Sequence, residues 1–180
     1  EEYGKDGDYI IANAAHIFNV LSEKAKSHLD EMEKMVEIGP GTGMFCRIIK
    51  KYYPSVKIVI VDLPQSIPYS ITSLLYANPS NTYLLPHEIT SGLDISTYDF
   101  VFLLPDQTKL IPEHAVDFAI NTMSFQEMSN SDIAKYFELL RKVLKDDNLF
   151  YCLNAVEKPM IINEKEHAIR FFEYPWKERD

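Results

Sequence analysis

Residues 36–64, VEIGPGTGMFCRIIKKYYPSVKIVIVDLP, restrict the fold more than any other stretch of the chain. An apolar run ends in Glu37, turns through Gly39, Gly41 and Gly43, continues as a helix that Pro54 stops, and returns as a second apolar run ending in Asp62. That order is strand, tight loop, helix and parallel strand, the βαβ unit of an α/β sheet. It delivers an acid to the C-terminal end of each strand, where open α/β sheets hold their ligands. Glycine suits such a loop because it accepts positive φ and lets backbone approach a ligand where a Cβ would collide.

The remaining segments extend the pattern. Residues 8–27 place Ile10, Ala14, Ile17, Val20 and Leu21 on one helical face, with Asp8 as N-cap, and predict an amphipathic helix covering the core. The helix after the glycine loop, 43–52, turns Phe45, Ile48, Ile49 and Tyr52 inward. Residues 65–77 form a helix starting near Pro68, and residues 82–86 a short extended piece. DFVFLLP at 99–105 and VDFAINTM at 116–123 read as two further strands. Residues 130–145 are the clearest helix, with Ile133, Tyr136, Phe137, Leu140, Val143 and Leu144 at helical spacing, Ser131 or Asn130 as cap, and Arg141, Lys142 and Lys145 at its negative end. NLFYCLNAV, from Asn148, supplies a fifth strand. The expectation is one α/β domain over residues 1–180, a Rossmann-like, doubly wound, mostly parallel sheet, with a helical cover at 1–30 and a core sheet at 35–156.

Asp62, at the end of the second strand, is placed to accept hydrogen bonds from a pair of ribose hydroxyls, so the crevice suits a nucleoside-containing cofactor. Spacing narrows the choice. The dinucleotide fingerprint needs its third glycine at the sixth position, whereas here Gly43 is fifth and Met44 sixth. A phosphate-binding P-loop is excluded because no Lys followed by Ser or Thr comes after the glycines. The pattern present, Glu-x-Gly-x-Gly-x-Gly, resembles motif I of the class I S-adenosylmethionine-dependent methyltransferases. That resemblance implies that Gly39, Gly41 and Gly43 pass under the methionine part of the cofactor, that Glu37 helps hold its cationic end, and that Asp62, followed by Leu63, binds the ribose. Carboxylates suit a cofactor that carries a sulfonium and an ammonium and no phosphate.

NTMSFQEM at 121–128, together with VEIGPGTG, VDLP and RFFEYPW, further resembles a group of bacterial sugar O-methyltransferases. In class I methyltransferases generally an acid or amide after the third strand recognises adenine, which points to Asp106 and Gln107, and the end of the fourth strand faces the transferred methyl group. Asn121 is then a candidate for holding cofactor or substrate, and Gln126 and Glu127 for meeting the acceptor. Glu127 is the first candidate for a general base and His16 the second. RFFEYPW is either acceptor-site material, with Glu173 binding hydroxyls, or a last strand over the core formed by Phe171, Phe172, Tyr174 and Trp176. Such sheets normally close with an antiparallel hairpin, and the 24 residues after Val156 suffice for a helix and one strand, so part of that hairpin is expected to be missing.

Charge and composition bound the partners. A net charge of -9 disfavours a nucleic-acid surface, since contacts to a polyanion need Lys and Arg. The basic clusters at Lys50 and Lys51 and at 141–145 read as solvated helix faces. Cys46 and Cys152, the two cysteines, have neither metal nor disulfide spacing and read as small core residues in a reducing cytoplasm. No run of 18 apolar residues is present, so no membrane partner is expected. A start at Glu1 suggests a fragment of a longer protein. The expected partner is a small molecule. An NAD-linked oxidoreductase, a methyltransferase for another hydroxyl or amine, and a non-catalytic cofactor-crevice module are the rival readings.

Overall fold

The structure, a computed structural model, describes residues 2–90, 92–162 and 165–178. Helix α1 (Glu2–Lys24) and the short α2 (Lys26–Glu31) precede strand β1 (Lys34–Ile38). Then follow α3 (Met44–Tyr52), β2 (Lys57–Val61), α4 (Ile67–Ala77), β3 (Tyr83–Leu84), β4 (Phe100–Leu103), β5 (Val116–Thr122), α5 (Asn130–Val143) and β6 (Leu144–Leu153). A hairpin, β7 (Glu157–Ile162) and β8 (Lys165–Arg170), ends the regular structure.

Six strands form one parallel sheet in the order β3-β4-β2-β1-β5-β6. From β1 the chain builds outward first through β2 and β4, then on the other side through β5 and β6. The C-terminal ends of β1 and β5 therefore flank the point where strand order reverses, the position at which such sheets form a crevice. The doubly wound parallel sheet anticipated from the sequence is present.

Strand alternation sorts the core into two layers, because successive side chains point to opposite faces. Met35, Ile58, Ile60, Phe100, Phe102, Phe118 and Ile120 pack with residues of α1 to α4 on one face. Val36, Ile38, Val59, Val61, Val101, Leu103 and Ala119 pack with α5 and the C-terminal aromatics on the other. Both faces of β1, β2 and β4 are thus dry, which is why these segments read as continuous apolar runs.

Several local expectations are corrected. Asp8 does not cap the first helix but lies inside it, since α1 begins at Glu2. Of its anticipated face, Ala14, Ile17 and Leu21 are buried, whereas Ile10 is 40% exposed. Tyr52 of α3 faces out and stacks on Phe18, at 4.7 Å between ring centroids, and Cys46 takes its place inside. The cap of α5 is Ser129, one residue before the expected pair, and its side chain accepts the Asp132 N–H.

Lys50 is not on a solvated face. It is 5% exposed, and its Nζ donates to the Val56 carbonyl at 2.7 Å and to Asp99 at 3.0 Å. Asp99 also receives Lys57 and Thr82, so it ties α3, β2 and β3 to the start of β4.

The hairpin expected to be incomplete is there among the described residues, as antiparallel β7 and β8, but it forms a separate two-stranded sheet. Beyond it, Phe171–Glu173 is a 3-10 turn rather than a strand. Tyr174 is buried, and Trp176 packs edge-on against Phe137 at 4.8 Å, so the aromatic tail is core except for Phe172, which is exposed. No described helix is long and apolar enough to cross a membrane.

Candidate functional site

At the strand-order reversal the glycine loop leaves β1. Gly39 N–H donates to the Val61 carbonyl at 2.8 Å and Gly43 N–H to the Pro40 carbonyl at 3.0 Å, so the loop folds back over the end of β2. Gly39, Gly41 and Gly43 all have positive φ. The constraint is strongest at Gly39, where a Cβ would lie 2.3 Å from Ser124 Oγ. The backbone of β1 can meet the loop after β5 only because this residue has no side chain.

Behind that contact lies a network of amides. Asn121, on β5 and fully buried, donates through Nδ2 to the Ile38 carbonyl at 2.9 Å and to Ser124 Oγ. Its Oδ1 accepts from Asn154 Nδ2 at 2.8 Å. Asn154 Oδ1 accepts the Gln126 N–H at 3.1 Å, and Gln126 Oε1 accepts the Ala155 N–H at 2.7 Å. The ends of β1, β5 and β6 are joined through hydrogen bonds of these side chains. Asn121 and Gln126 build the crevice floor rather than line its surface.

A cleft of about 430 Å³ opens above this floor. Gly39, Gly41 and Thr42 line it from the loop, Asp62 and Ser66 from the end of β2, and Ser124 and Glu127 from the loop after β5. Ile10 of α1, Tyr69 of α4 and Met123 form its rim. A second cavity of about 510 Å³ adjoins it, with Leu63, Pro105, Asp106, Met128 and Tyr136 in its wall. Glu127 belongs to both and marks where they meet.

Asp62 is half-buried in the wall of the first cavity, and its Oδ1 accepts the Leu63 N–H at 2.8 Å. Burial lifts its carboxyl above the ordinary range, against the Leu63 and Gly41 backbone groups that hold it down. Glu127 is exposed and pairs with Lys158 of β7 at 2.5 Å, a contact that brings the hairpin to the edge of the cleft. Among the described residues no group of His, Cys, Asp and Glu has a metal-binding arrangement.

The structure gathers Gly39, Gly41, Asp62 and Glu127 around the first cavity and Leu63, Asp106 and Glu127 around the second. Other anticipated residues lie elsewhere. Glu37 is 2% exposed and points to the same sheet face as Met35, where the Cys46 thiol donates to its Oε2 at 2.7 Å. Desolvation first, opposed by the Cys46 contact and aided by the nearby Asp62 charge, pushes its carboxyl up to about 7. Gly43 is buried under Leu74 and Ser70, at the start of α3. Gln107 is turned inward, accepting the Leu104 N–H at 2.9 Å and donating to the Pro86 carbonyl at 2.9 Å. His16 is exposed on α1 and lines neither cavity, and Glu173 is exposed and paired with Arg170.

Lining residues missed in the sequence include Ser124, Met123, Met128 and Tyr69. Ser124 and Met128 sit within NTMSFQEM, and the left-handed φ of Met123, 61°, is the local signal that its loop is shaped for the cleft. Tyr69 had no sequence signal beyond its place on α4.

With this geometry in view, residues 13–82 match the O-methyltransferase domain family. No curated protein matches the chain. Among solved structures, a candidate O-methyltransferase of Nostoc punctiforme superposes with a TM-score of 0.52 at 11% identity, over 83% of this chain and 36% of that one. A protein of Pyrococcus horikoshii gives 0.56 at 18%, over 77% and 55%. An O-methyltransferase family protein of Burkholderia thailandensis gives 0.54 at 11%, over 79% and 38%. The chain spans between 36% and 55% of the lengths of these three structures. At such identities the likeness establishes the fold, that of class I methyltransferases. The match of residues 13–82 to an O-methyltransferase domain and the methyltransferase fold together indicate S-adenosylmethionine as the cofactor of such a crevice.

Proposed function

We propose that the two adjoining cavities hold S-adenosylmethionine and that the chain transfers its methyl group to a hydroxyl oxygen, on a sugar or a sugar-containing small molecule. The observation that carries the reading is Asp62: a half-buried carboxylate at the C-terminal end of β2, next to the glycine loop and in the wall of the first cavity. In this reading Asp62 accepts both ribose hydroxyls, and the loop at Gly39 and Gly41 passes under the methionine part. The adenine enters the second cavity between Leu63 and Met128, near Asp106. The preference for a sugar comes from the resemblance of NTMSFQEM and RFFEYPW to sugar O-methyltransferases. In the same reading residues 1–180 are one domain with 1–30 as its cover.

When bound, the sulfonium supplies an electrophilic methyl group. The protein then has two tasks, to align the acceptor oxygen with the sulfur to methyl bond and to take up its proton. Alignment lowers the barrier by several kcal/mol. In this reading Glu127, which lines the cleft with Ser124, accepts the proton. Lys158 holds that carboxylate at the lip from the hairpin side.

Calorimetry with S-adenosylmethionine and S-adenosylhomocysteine tests the reading. Asp62→Ala is expected to weaken both by about tenfold or more, as loss of two charge-assisted hydrogen bonds requires, with an unchanged melting temperature. Tight binding of NADH and none of S-adenosylhomocysteine would refute it. Labelled methyl transfer to a library of sugars and glycosides, read by mass spectrometry, identifies the acceptor; cofactor binding without turnover on any acceptor would favour a binding module.

A further inference from the structure

We infer that the open end of the first cavity selects an uncharged, hydroxyl-bearing ring as acceptor, with Tyr69 as the surface on which that ring stacks; the inference rests on the methyl-transfer reading of this cleft and specifies its substrate.

Three observations converge. The first is the rim. Tyr69 is 69% exposed, Met123 41% and Ile10 40%, although each lines the cleft. Large apolar surface left open around a concave site marks a place where something apolar is covered. Tyr69 offers a flat ring face with a polar edge, which packs against the C–H face of a ring while leaving its hydroxyls to other groups.

The second is the way Met123 is held. Its backbone lies in the left-handed region, and Asn13 Nδ2 of α1 contacts its Sδ at 3.7 Å. Asn13 and Ile10 lie one turn apart on the same helix, so α1 and the loop after β5 meet across the open end. A non-glycine residue at positive φ is retained where surrounding structure over-determines it, and such residues concentrate at ligand clamps.

The third is charge. The cleft contains two carboxylates, Asp62 and Glu127, and none of its described lining residues is Lys, Arg or His. Lys158 reaches the lip, but its ammonium is paired with Glu127. A phosphate or carboxylate on the acceptor would enter a partly desolvated site beside like charges and without a counter-ion. Thr42, Ser66 and Ser124, by contrast, place hydroxyls in the lining, and Glu127 can accept from an acceptor hydroxyl.

The experiment has two stages, so that the function and the acceptor class fail separately. Calorimetry with S-adenosylhomocysteine comes first; absence of binding there overturns the cofactor assignment itself. The full chain saturated with S-adenosylhomocysteine is then titrated by ligand-observed NMR with methyl glycosides of neutral hexoses, the corresponding 6-phosphates and uronic acids, and simple phenols. Neutral members are expected to bind about tenfold or more tightly than their phosphorylated or carboxylated counterparts. Tyr69→Ala is expected to weaken the neutral ligands about tenfold and Tyr69→Phe to leave them within about twofold, with S-adenosylhomocysteine affinity and melting temperature unchanged. Phenols binding in place of the glycosides would keep the ring and assign it as aromatic. Tighter binding of an anionic member, an unaltered affinity in Tyr69→Ala, or no binding of any ring would overturn the inference.

Discussion

Glu37→Gln tests the electrostatics of the crevice floor through the pH dependence of stability. The carboxyl is buried beneath the glycine loop with the Cys46 thiol at 2.7 Å, and desolvation, less the Cys46 contact, raises it from an ordinary 4.5 to about 7. Between those values the native state binds a proton that the unfolded chain has released. The slope of unfolding free energy with pH follows the proton difference, so the protein loses stability as pH rises from 4.5 to about 7 and keeps that loss above it. At about 1.4 kcal/mol per pH unit, the interval amounts to roughly 3 kcal/mol. Glutamine preserves the shape and an acceptor for the thiol but does not titrate. Urea unfolding of both proteins at pH 5, 6, 7 and 8, followed by circular dichroism, isolates the effect, because other titrating groups cancel in the difference. The variant should gain on the wild type by roughly 3 kcal/mol between acid and pH 8, whatever constant offset the amide introduces. A difference that stays flat across this range would refute the reasoning, since it would mean that Glu37 ionises in the native state as freely as in water.

Three further substitutions probe the same loop and its neighbour. Gly39→Ala places a methyl group 2.3 Å from Ser124 Oγ at a φ of +66°, whereas Gly41→Ala, at +59°, meets nothing within 4 Å. The first should cost about 3 kcal/mol and the second about 1, and equal shifts in thermal melts would disprove the proposed contact. Glu127→Gln should lower turnover by about 10² to 10⁴ while S-adenosylmethionine affinity stays within about twofold; a loss confined to affinity would move Glu127 from the base to the cofactor's sugar.

The scaffold was legible where two periodicities agreed. Buried strands such as KIVIV and FVFL stand out because both their faces are dry, and β2 begins and ends where its apolar run does. The glycine spacing and the terminal Asp62 located the crevice for the same reason, since each answers to local backbone geometry. Side-chain direction was harder. Glu37 lies one residue from Ile38 and two from Met35, and strand alternation sends it to the α3 face, toward Cys46, instead of up to the crevice. Asn121 and Gln126 stand in a segment rich in chemistry, yet their partners, Ile38, Asn154 and Ala155, come from segments 28 to 83 residues away. Lys158 and Tyr69 reach the cleft only through the packing of a hairpin and a helix that no local pattern places there.

The knot of amides at Asn121 gives the crevice an unequal mechanical character. Three strand ends are cross-braced below the cleft, so an arriving molecule finds that half already in shape and spends little conformational entropy on ordering it. Above the cleft, among the described residues, the hydrogen bond between α1 and the loop after β5 is the sulfur contact from Asn13 to Met123. If the cleft turns over a cofactor as proposed, the pace at which the spent cofactor leaves should respond to changes along α1 far more than to changes in the floor.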